Sequence, residues 1–490
     1  IPSPINLTHI ASLPPTSPSN TSTLRLRDIL NDPLIRECWQ FNYLIDVDFL
    51  MRQFDEDVRG LVRVKVVHGS WKREAENRVR IDEACTRYPN VEPIVAYMPE
   101  PFGTHHSKMM VLVRHDGFAQ VVIHTANMIP GDWANMCQAV WRSPLLPLLE
   151  GGQQDGGAGV GEPRGIGKRF KRDLLAYLKE YGVKKTGPLV AQLERYDFGA
   201  VRARLIASVP SKQKVNGARD GERTRWGWLG LRDVLGEVPL SGGEGKGKGE
   251  DGGRPQIVTQ ISSVASLGQT DKWLKEVFFA SLAPEGTTKP AFSIIFPTPD
   301  EIRRSLNGYG SGGSIHMKTQ SAAQQKQLQY LRPYLCQWAG DADGAATTTT
   351  KREAGRRRAA PHIKTYIRFA TEAMDTIDWA MVTSANLSTQ AWGAAANANG
   401  EVRICSWEIG VVVWPDLFVD AGKAAMVPCF RTDTPDAATS ADAAADAITL
   451  VGFRMPYDLP LTRYKPEDVP WCATARHSEP DWLGQTWDLE

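Results

Sequence analysis

The sequence predicts an α/β protein made by internal duplication, an α-β-α sandwich of two similar halves that share one site. Two observations carry that expectation. The tripeptide His-x-Lys occurs at His106-Ser107-Lys108 and again at His362-Ile363-Lys364, and each copy leads into an apolar run, MMVLV or TYIRFA. A second apolar run then closes on two small residues and an asparagine, Thr125-Ala126-Asn127 or Ser384-Ala385-Asn386. The interval from Lys to Asn is 127 − 108 = 19 residues in the first copy and 386 − 364 = 22 in the second. A strand alternates its faces, so the His and Lys of each pair point the same way.

In chain order, residues 1–24 are rich in Ser, Thr, Pro and Asn, and are expected to be disordered or loosely packed. The first half is expected over 25–213. There LVRVKVVHG reads as a strand, KREAENRVRIDEACTRY as a surface helix, and the two runs of the first motif as buried strands. AVW, after Asn127, reads as a short strand. Gly151 to Gly167 is a Gly-rich insertion, and Lys168 to Tyr181 an amphipathic helix whose KRFKR start is expected to be a solvated face. The second half is expected over 214–490. Ser241 to Pro255 reads as a surface loop, QIVTQISSVASLG, AFSIIFPTPDEIRRSL and EIGVVVWP as further strands and helix starts, and Thr432 to Ala447 as an insertion. The polar stretch from Trp338 to Pro361, with its basic run Arg356-Arg357-Arg358, reads as a solvated loop, a basic arm beside the site being the less favoured alternative.

Composition bounds the function. With 490 residues, 42% apolar, two to three domains are expected. A net charge of +1 gives no whole-molecule attraction for a polyanion, so such a site must be a local patch. The seven cysteines include no C-x-x-C pair, which points to reduced thiols rather than a disulfide frame or a zinc site. No apolar run reaches the ~18 residues of a membrane span. The sequence opens on Ile1, and a preceding segment is expected.

Each motif supplies an imidazole, an ammonium and an amide. Facing one another, the two copies surround a tetrahedral anion with two cations and two amide donors, with a histidine on either side. That set suits in-line phosphoryl transfer, with one neutral histidine attacking phosphorus and a protonated one serving the leaving oxygen. No metal or cofactor is expected. His105, out of register with Lys108, is expected on the opposite face, and His124 in the core. A third His-x-Lys, His316-Met317-Lys318, lacks the apolar run and the small-small-Asn closure, and is not expected to be catalytic.

The paired motifs resemble the phospholipase D superfamily. Most of its members carry an Asp five residues after the Lys, where this chain has Val113 and Phe369. That departure, with GTHHSKMM, VIHTAN, HIKTY and TSANLSTQAWG, is similar to the eukaryotic tyrosyl-DNA phosphodiesterase family, as are FNYLIDVDFL, VHGSWKREA, ISSVASLG, GYGSGGS, SWEIGVVV and MPYDLPLTRY in the same order. The resemblance implies a phospholipase D-like fold and hydrolysis of a 3′-phosphotyrosyl bond between DNA and a stalled topoisomerase I. It implies His106 as nucleophile, His362 as acid and then base, and Lys108, Lys364, Asn127 and Asn386 around the phosphate. Gln138 and Glu408 match supporting positions, Ser263, Ser266 and Ser388 match DNA-backbone contacts, and Phe102 matches an aromatic that stacks on a base. A monomer in the nucleus, acting on DNA 3′ ends and not on a membrane, is implied in the same way. Two alternatives stand beside this reading: another superfamily phosphodiesterase, nuclease or lipid-cleaving enzyme, and, from a different class, a non-catalytic binder of DNA ends.

Overall fold

The computed structural model describes residues 1–14, 16–149, 165–216, 224–241, 253–283, 288–339, 352–445 and 447–488. Two large sheets dominate, and they repeat one topology. In the first, the strands follow the order Ile5–Leu7, Ala139–Arg142, Phe118–His124, Met109–Arg114, Ile35–Phe41, Arg63–His68, Val91–Val95. In the second the order is Arg204–Ser208, Glu408–Val413, Ile377–Thr383, Thr365–Phe369, Gln256–Gln260, Ala291–Ile295, Leu335–Cys336. Pair by pair the strand directions also agree: four antiparallel pairings are followed by two parallel ones in both sheets. The motif strands therefore occupy the same places in the two halves, which is the duplication expected from the sequence.

Three cores hold the layers. Alternation along each strand sends Val111 and Val121 of the first sheet, and Ile367 and Val382 of the second, into one shared central core, together with Phe170 and Leu174 of the helix Ile166–Lys179 and Leu189 of the helix Val183–Leu193. The opposite face of the first sheet, with Met110 and Leu112, packs on Ile81 of the helix Glu76–Arg87. That of the second, with Tyr366 and Met381, packs on Leu231 of the helix Gly227–Leu235 and Phe278. The strands are apolar on both faces because each face is covered.

Four expectations are corrected. Residues 1–10, within the stretch 1–24 expected to be disordered or loosely packed, are packed: Ile5 and Leu7 are buried in the strand that closes the first sheet, and Ile10 is fully buried. The boundary between halves lies before residue 204 rather than at 213, because Arg204–Ser208 is the edge strand of the second sheet. The basic run before His362 is tied down rather than solvated, Arg358 alone of the three being exposed, and it is not an arm at the site. Arg356 is buried and donates to the carbonyls of Thr8 (2.8 Å) and Ser19 (2.8 Å), and Arg357 pairs with Asp458 (2.6 Å), so the run clamps the N-terminal segment onto the second half. Likewise Lys171 of KRFKR is buried, its ammonium donating to the carbonyls of Glu194 and Tyr196. Most of the Gly151–Gly167 and Ser241–Pro255 insertions, and half of Trp338–Pro361, lie outside the described residues.

Two backbone stitches join the halves where the motifs begin. His106 N–H donates to the carbonyl of Trp407 (2.9 Å), and Trp407 N–H to that of Thr104 (2.8 Å). Gly103 is needed there, since a Cβ on it would sit 2.0 Å from the Cys405 carbonyl oxygen. In the second copy, Ala360–Pro361 pairs in parallel with Met136–Cys137, and Ile363 N–H donates to the Cys137 carbonyl (2.8 Å). Each histidine is thus set down beside the other half of the molecule.

Candidate active site

His106, Asn127, His362, Asn386 and Glu408 line a single cavity of about 300 Å³ between the halves. The stitches decide who meets whom. Glu408, the first residue of its strand, follows Trp407, and its Oε2 lies 3.0 Å from His106 Nδ1. Gln138 follows Cys137, and its amide lies 3.0 Å (Nε2) and 3.3 Å (Oε1) from His362 Nδ1. Each histidine is therefore held by a residue of the opposite half. The supports are themselves anchored by equivalent hydroxyls, two residues before each motif asparagine. Ser384 Oγ donates to Glu408 Oε2, and Thr125 Oγ1 to Gln138 Oε1 (2.8 Å). Gly410 lets the Glu408 strand lie close to that motif, since a Cβ there would meet Thr383 Cβ at 2.5 Å.

Beyond the exchange of Glu408 for Gln138, the duplication is broken at a further point. Asp132 is buried beside His362, its Oδ2 3.3 Å from Nδ1, and it accepts from the Asn127 N–H (2.7 Å). Burial pushes the Asp132 carboxyl up to about 6, against the pull of the Asn127 N–H and the two lysines. His106 thus faces one fixed carboxylate, which takes its Nδ1–H and leaves the Nε2 lone pair free. Nδ1 of His362 faces an amide that can give or take a proton-bearing bond, with a carboxylate alongside, so it is supported with or without a proton.

The lysines lie beneath the histidines of their own motifs. Lys108 Nζ donates to the His106 carbonyl (3.2 Å), and Lys364 Nζ to that of His362. Both are fully buried. Burial lowers the Lys108 ammonium to about 8 in spite of Glu408 and Asp132, and burial with repulsion from Lys108 lowers Lys364 well below its ordinary value. Burial, followed by the nearby lysines, likewise holds His106 below and His362 well below the ordinary imidazole value. An arriving anion relieves this crowding of cations. Asn386 Oδ1 accepts from the N–H groups of Ser262 and Ser263 (3.0 Å each), which fixes the amide with its NH2 side available. Asn127 Oδ1 is buried without a hydrogen-bond partner.

Of the expected outer contacts, Phe102, Ser263 and Ser388 line the cavity. Phe102 is 82% exposed, a ring offered to solvent rather than a core anchor. Ser388 also caps the helix Thr389–Trp392 by accepting from Ala391 N–H (3.0 Å). Ser266 stands apart: it is exposed and is not among the cavity's lining residues. His105 is buried on the far face between the Asn42 carbonyl and the Tyr181 hydroxyl (3.0 Å each), and His124 is buried against Trp133. Sequence reasoning missed Asp132, Thr125, Ser384 and Tyr43, whose ring lies 5.6 Å from that of His106. His316 lines the cavity too, on a short strand paired with Ser263–Val264. Among the described residues, no three His, Cys, Asp or Glu side chains converge as a metal-binding group.

Residues 4–465 match the family model described as "Tyrosyl-DNA phosphodiesterase". The chain belongs to the tyrosyl-DNA phosphodiesterase family. Membership makes it a phosphodiester hydrolase. A probable tyrosyl-DNA phosphodiesterase of Schizosaccharomyces pombe is 31% identical over 99% of this chain and 96% of its own length. Tyrosyl-DNA phosphodiesterase 1 of Drosophila melanogaster is 30% identical over 95% of this chain and 72% of its own. The crystal structure of the yeast tyrosyl-DNA phosphodiesterase superposes with a TM-score of 0.64 at 20% identity, covering 96% of this chain and 98% of that one, so the tyrosyl-DNA phosphodiesterase fold extends across both halves.

Proposed function

We propose that this phosphodiesterase hydrolyses the bond between a DNA 3′ phosphate and a tyrosine side chain, such as a stalled type IB topoisomerase I leaves, by way of a phosphohistidine at His106. The crosswise support of the two histidines around one cavity carries the reading. Glu408 holds the Nδ1–H of His106, so Nε2 attacks phosphorus with a free lone pair. The P–N bond forms as the P–O(Tyr) bond breaks. The imidazolium of His362, its Nδ1–H accepted by Asp132 or Gln138, passes its Nε2 proton to the departing tyrosine oxygen. Lys108, Lys364, Asn127 and Asn386 surround the equatorial oxygens, where charge is spread in such transfers. Neutral His362 then takes a proton from water, which attacks phosphorus. The P–N bond breaks, and a DNA 3′ phosphate and free His106 remain.

Both histidines come from one chain, which supports action as a monomer, and a substrate formed on chromosomal DNA supports a nuclear site. The range of 3′ adducts follows from the leaving-group side of the cavity and extends to other phenolic or alcoholic groups that His362 can protonate, including a terminal nucleoside in exonuclease fashion. The test is a 3′-phosphotyrosyl oligonucleotide incubated with the enzyme in EDTA. Release of tyrosine and of a 3′-phosphate end is expected. Inertness, or activity only on addition of a divalent ion, would overturn the two-histidine route.

A further inference from the structure

Beside the catalytic cavity lies a second groove, of about 530 Å³, whose walls include Trp71, Tyr97, Lys184 and Lys185. Both rings are turned to solvent, Trp71 60% and Tyr97 61% exposed, although an exposed ring gains nothing from packing. Each is accompanied by a cation: Lys72 Nζ lies 5.5 Å from the Trp71 ring centre and Lys185 Nζ 6.0 Å from that of Tyr97. Two carboxylates nearby are engaged elsewhere, Glu92 of the groove wall with Lys65 and Glu100 with Arg403.

The groove is tied to the catalytic cavity by two short connections. The Tyr97 carbonyl accepts from Trp407 Nε1 (3.0 Å), and Trp407 is the residue that stitches Thr104 and His106 in place. Next to Trp71, Ser70 Oγ accepts from Asn77 Nδ2 (2.8 Å), which also reaches the carbonyl of Tyr43 in the cavity wall. Hydrogen bonds thus link the wall of the cavity, which carries the exposed rings of Tyr43 and Phe102, to the wall of the groove, which carries those of Tyr97 and Trp71.

We infer that this groove is a second binding segment for single-stranded DNA, taking bases on Trp71 and Tyr97 and phosphates on Lys72, Lys184 and Lys185. Aromatic platforms interleaved with cations are what a base-and-phosphate chain requires, irrespective of its sequence. A peptide is the poorer fit. In-line attack by His106 sends the leaving tyrosine toward His362, whereas the groove connects on the His106 side. Placement of DNA rather than the peptide on this side rests on the proposed reaction, but binding to the groove can be read without it.

Two measurements test the inference. Anisotropy of a dye-labelled oligothymidine of about 16 nucleotides is expected to show binding weaker by at least about 30-fold in Trp71→Ala/Tyr97→Ala. In Lys184→Glu/Lys185→Glu the expected change is weaker binding with a shallower dependence on salt, since fewer phosphates are neutralised. The gain in kcat/KM between phosphotyrosyl oligonucleotides of about 4 and about 16 nucleotides should shrink in both variants. All four side chains are at the surface, so the fold is not at stake. Wild-type affinity and an undiminished length gain in both variants overturn the inference, as does a defect that follows the length of the attached peptide. Weakened oligothymidine binding in the variants, with no cleavage by the wild type, supports the groove and counts against the proposed reaction alone.

Discussion

Replacing Glu408 by Gln changes one atom next to His106, and the structure says what that atom does. Oε2 lies 3.0 Å from Nδ1 and fixes the tautomer that leaves Nε2 free. An amide in its place can donate to Nδ1 and move the proton to Nε2, where it blocks attack. A charge-assisted hydrogen bond is worth about 1.5–3 kcal/mol. With about 1.4 kcal/mol per tenfold, its loss removes at least an order of magnitude, and competition from the wrong tautomer brings the expected fall to about 10²–10³-fold. Loss of the carboxylate does not protonate His106: burial and Lys108 already lower its pKa, and Glu408 is the partner that raises it. Glu408→Gln should therefore lower the plateau of the first-step rate while moving its acid limb to lower pH. The assay is rapid-quench release of tyrosine from a 3′-phosphotyrosyl oligonucleotide with enzyme in excess. Release within about threefold of wild type, with slowing confined to resolution of the covalent adduct, would refute the assignment.

Two further outcomes follow from the buried charges. The Asp132 carboxyl is raised to about 6, so the folded state keeps its proton where the unfolded chain has lost it. Stability from this group is full below about pH 4 and falls as pH rises toward 6. Asp132→Asn should raise the melting temperature at pH 7 by the equivalent of at most about 3 kcal/mol and leave it unchanged near pH 4, while reducing turnover; equal shifts at both pH values would contradict this. With the Lys108 ammonium lowered to about 8, kcat/KM should decline as pH rises through that value. Lys108→Arg should remove the decline whatever its absolute rate, and an unchanged alkaline limb would assign that titration to another group.

The proposed catalytic set was legible as a pattern because each member repeats. His106 and His362, and Lys108 and Lys364, stand just before strands of like place in the two sheets, and Asn127 and Asn386 just after their neighbours, so the repeat exposes them although none lies on a strand and the alternation expected from the sequence is not what aims them. Thr125 and Ser384 repeat as well, and attention to the residue two before each Asn would have found them. Asp132 does not repeat: the position five beyond Asn386 is Ala391, a core residue, so no comparison of the motifs could expose it. The exchange of partners between halves was hidden for a different reason. It depends on the Trp407 and Cys137 backbone stitches, and such pairings between distant segments leave no periodicity in the chain. The N-terminal strand failed as a composition argument, since Ile5 and Leu7 alternate correctly but stand among Ser and Pro. His316 was set aside for lacking a motif, yet it reaches the cavity from a short strand outside either repeat.

The central claim is that two histidines which look alike in sequence divide the work, His106 becoming covalently bound and His362 moving protons. His362→Ala tests it most directly. A phenol of pKa about 10 leaves with little help, whereas water needs a base, and general-base assistance of this kind is typically worth about 10²–10⁴-fold. The variant, quenched during reaction with a 3′-phosphotyrosyl oligonucleotide and run on a denaturing gel, should therefore accumulate a protein-DNA adduct that is acid-labile and alkali-stable and maps to His106. An adduct that survives in His106→Ala, or that maps to His362 in the wild-type enzyme, would contradict the account.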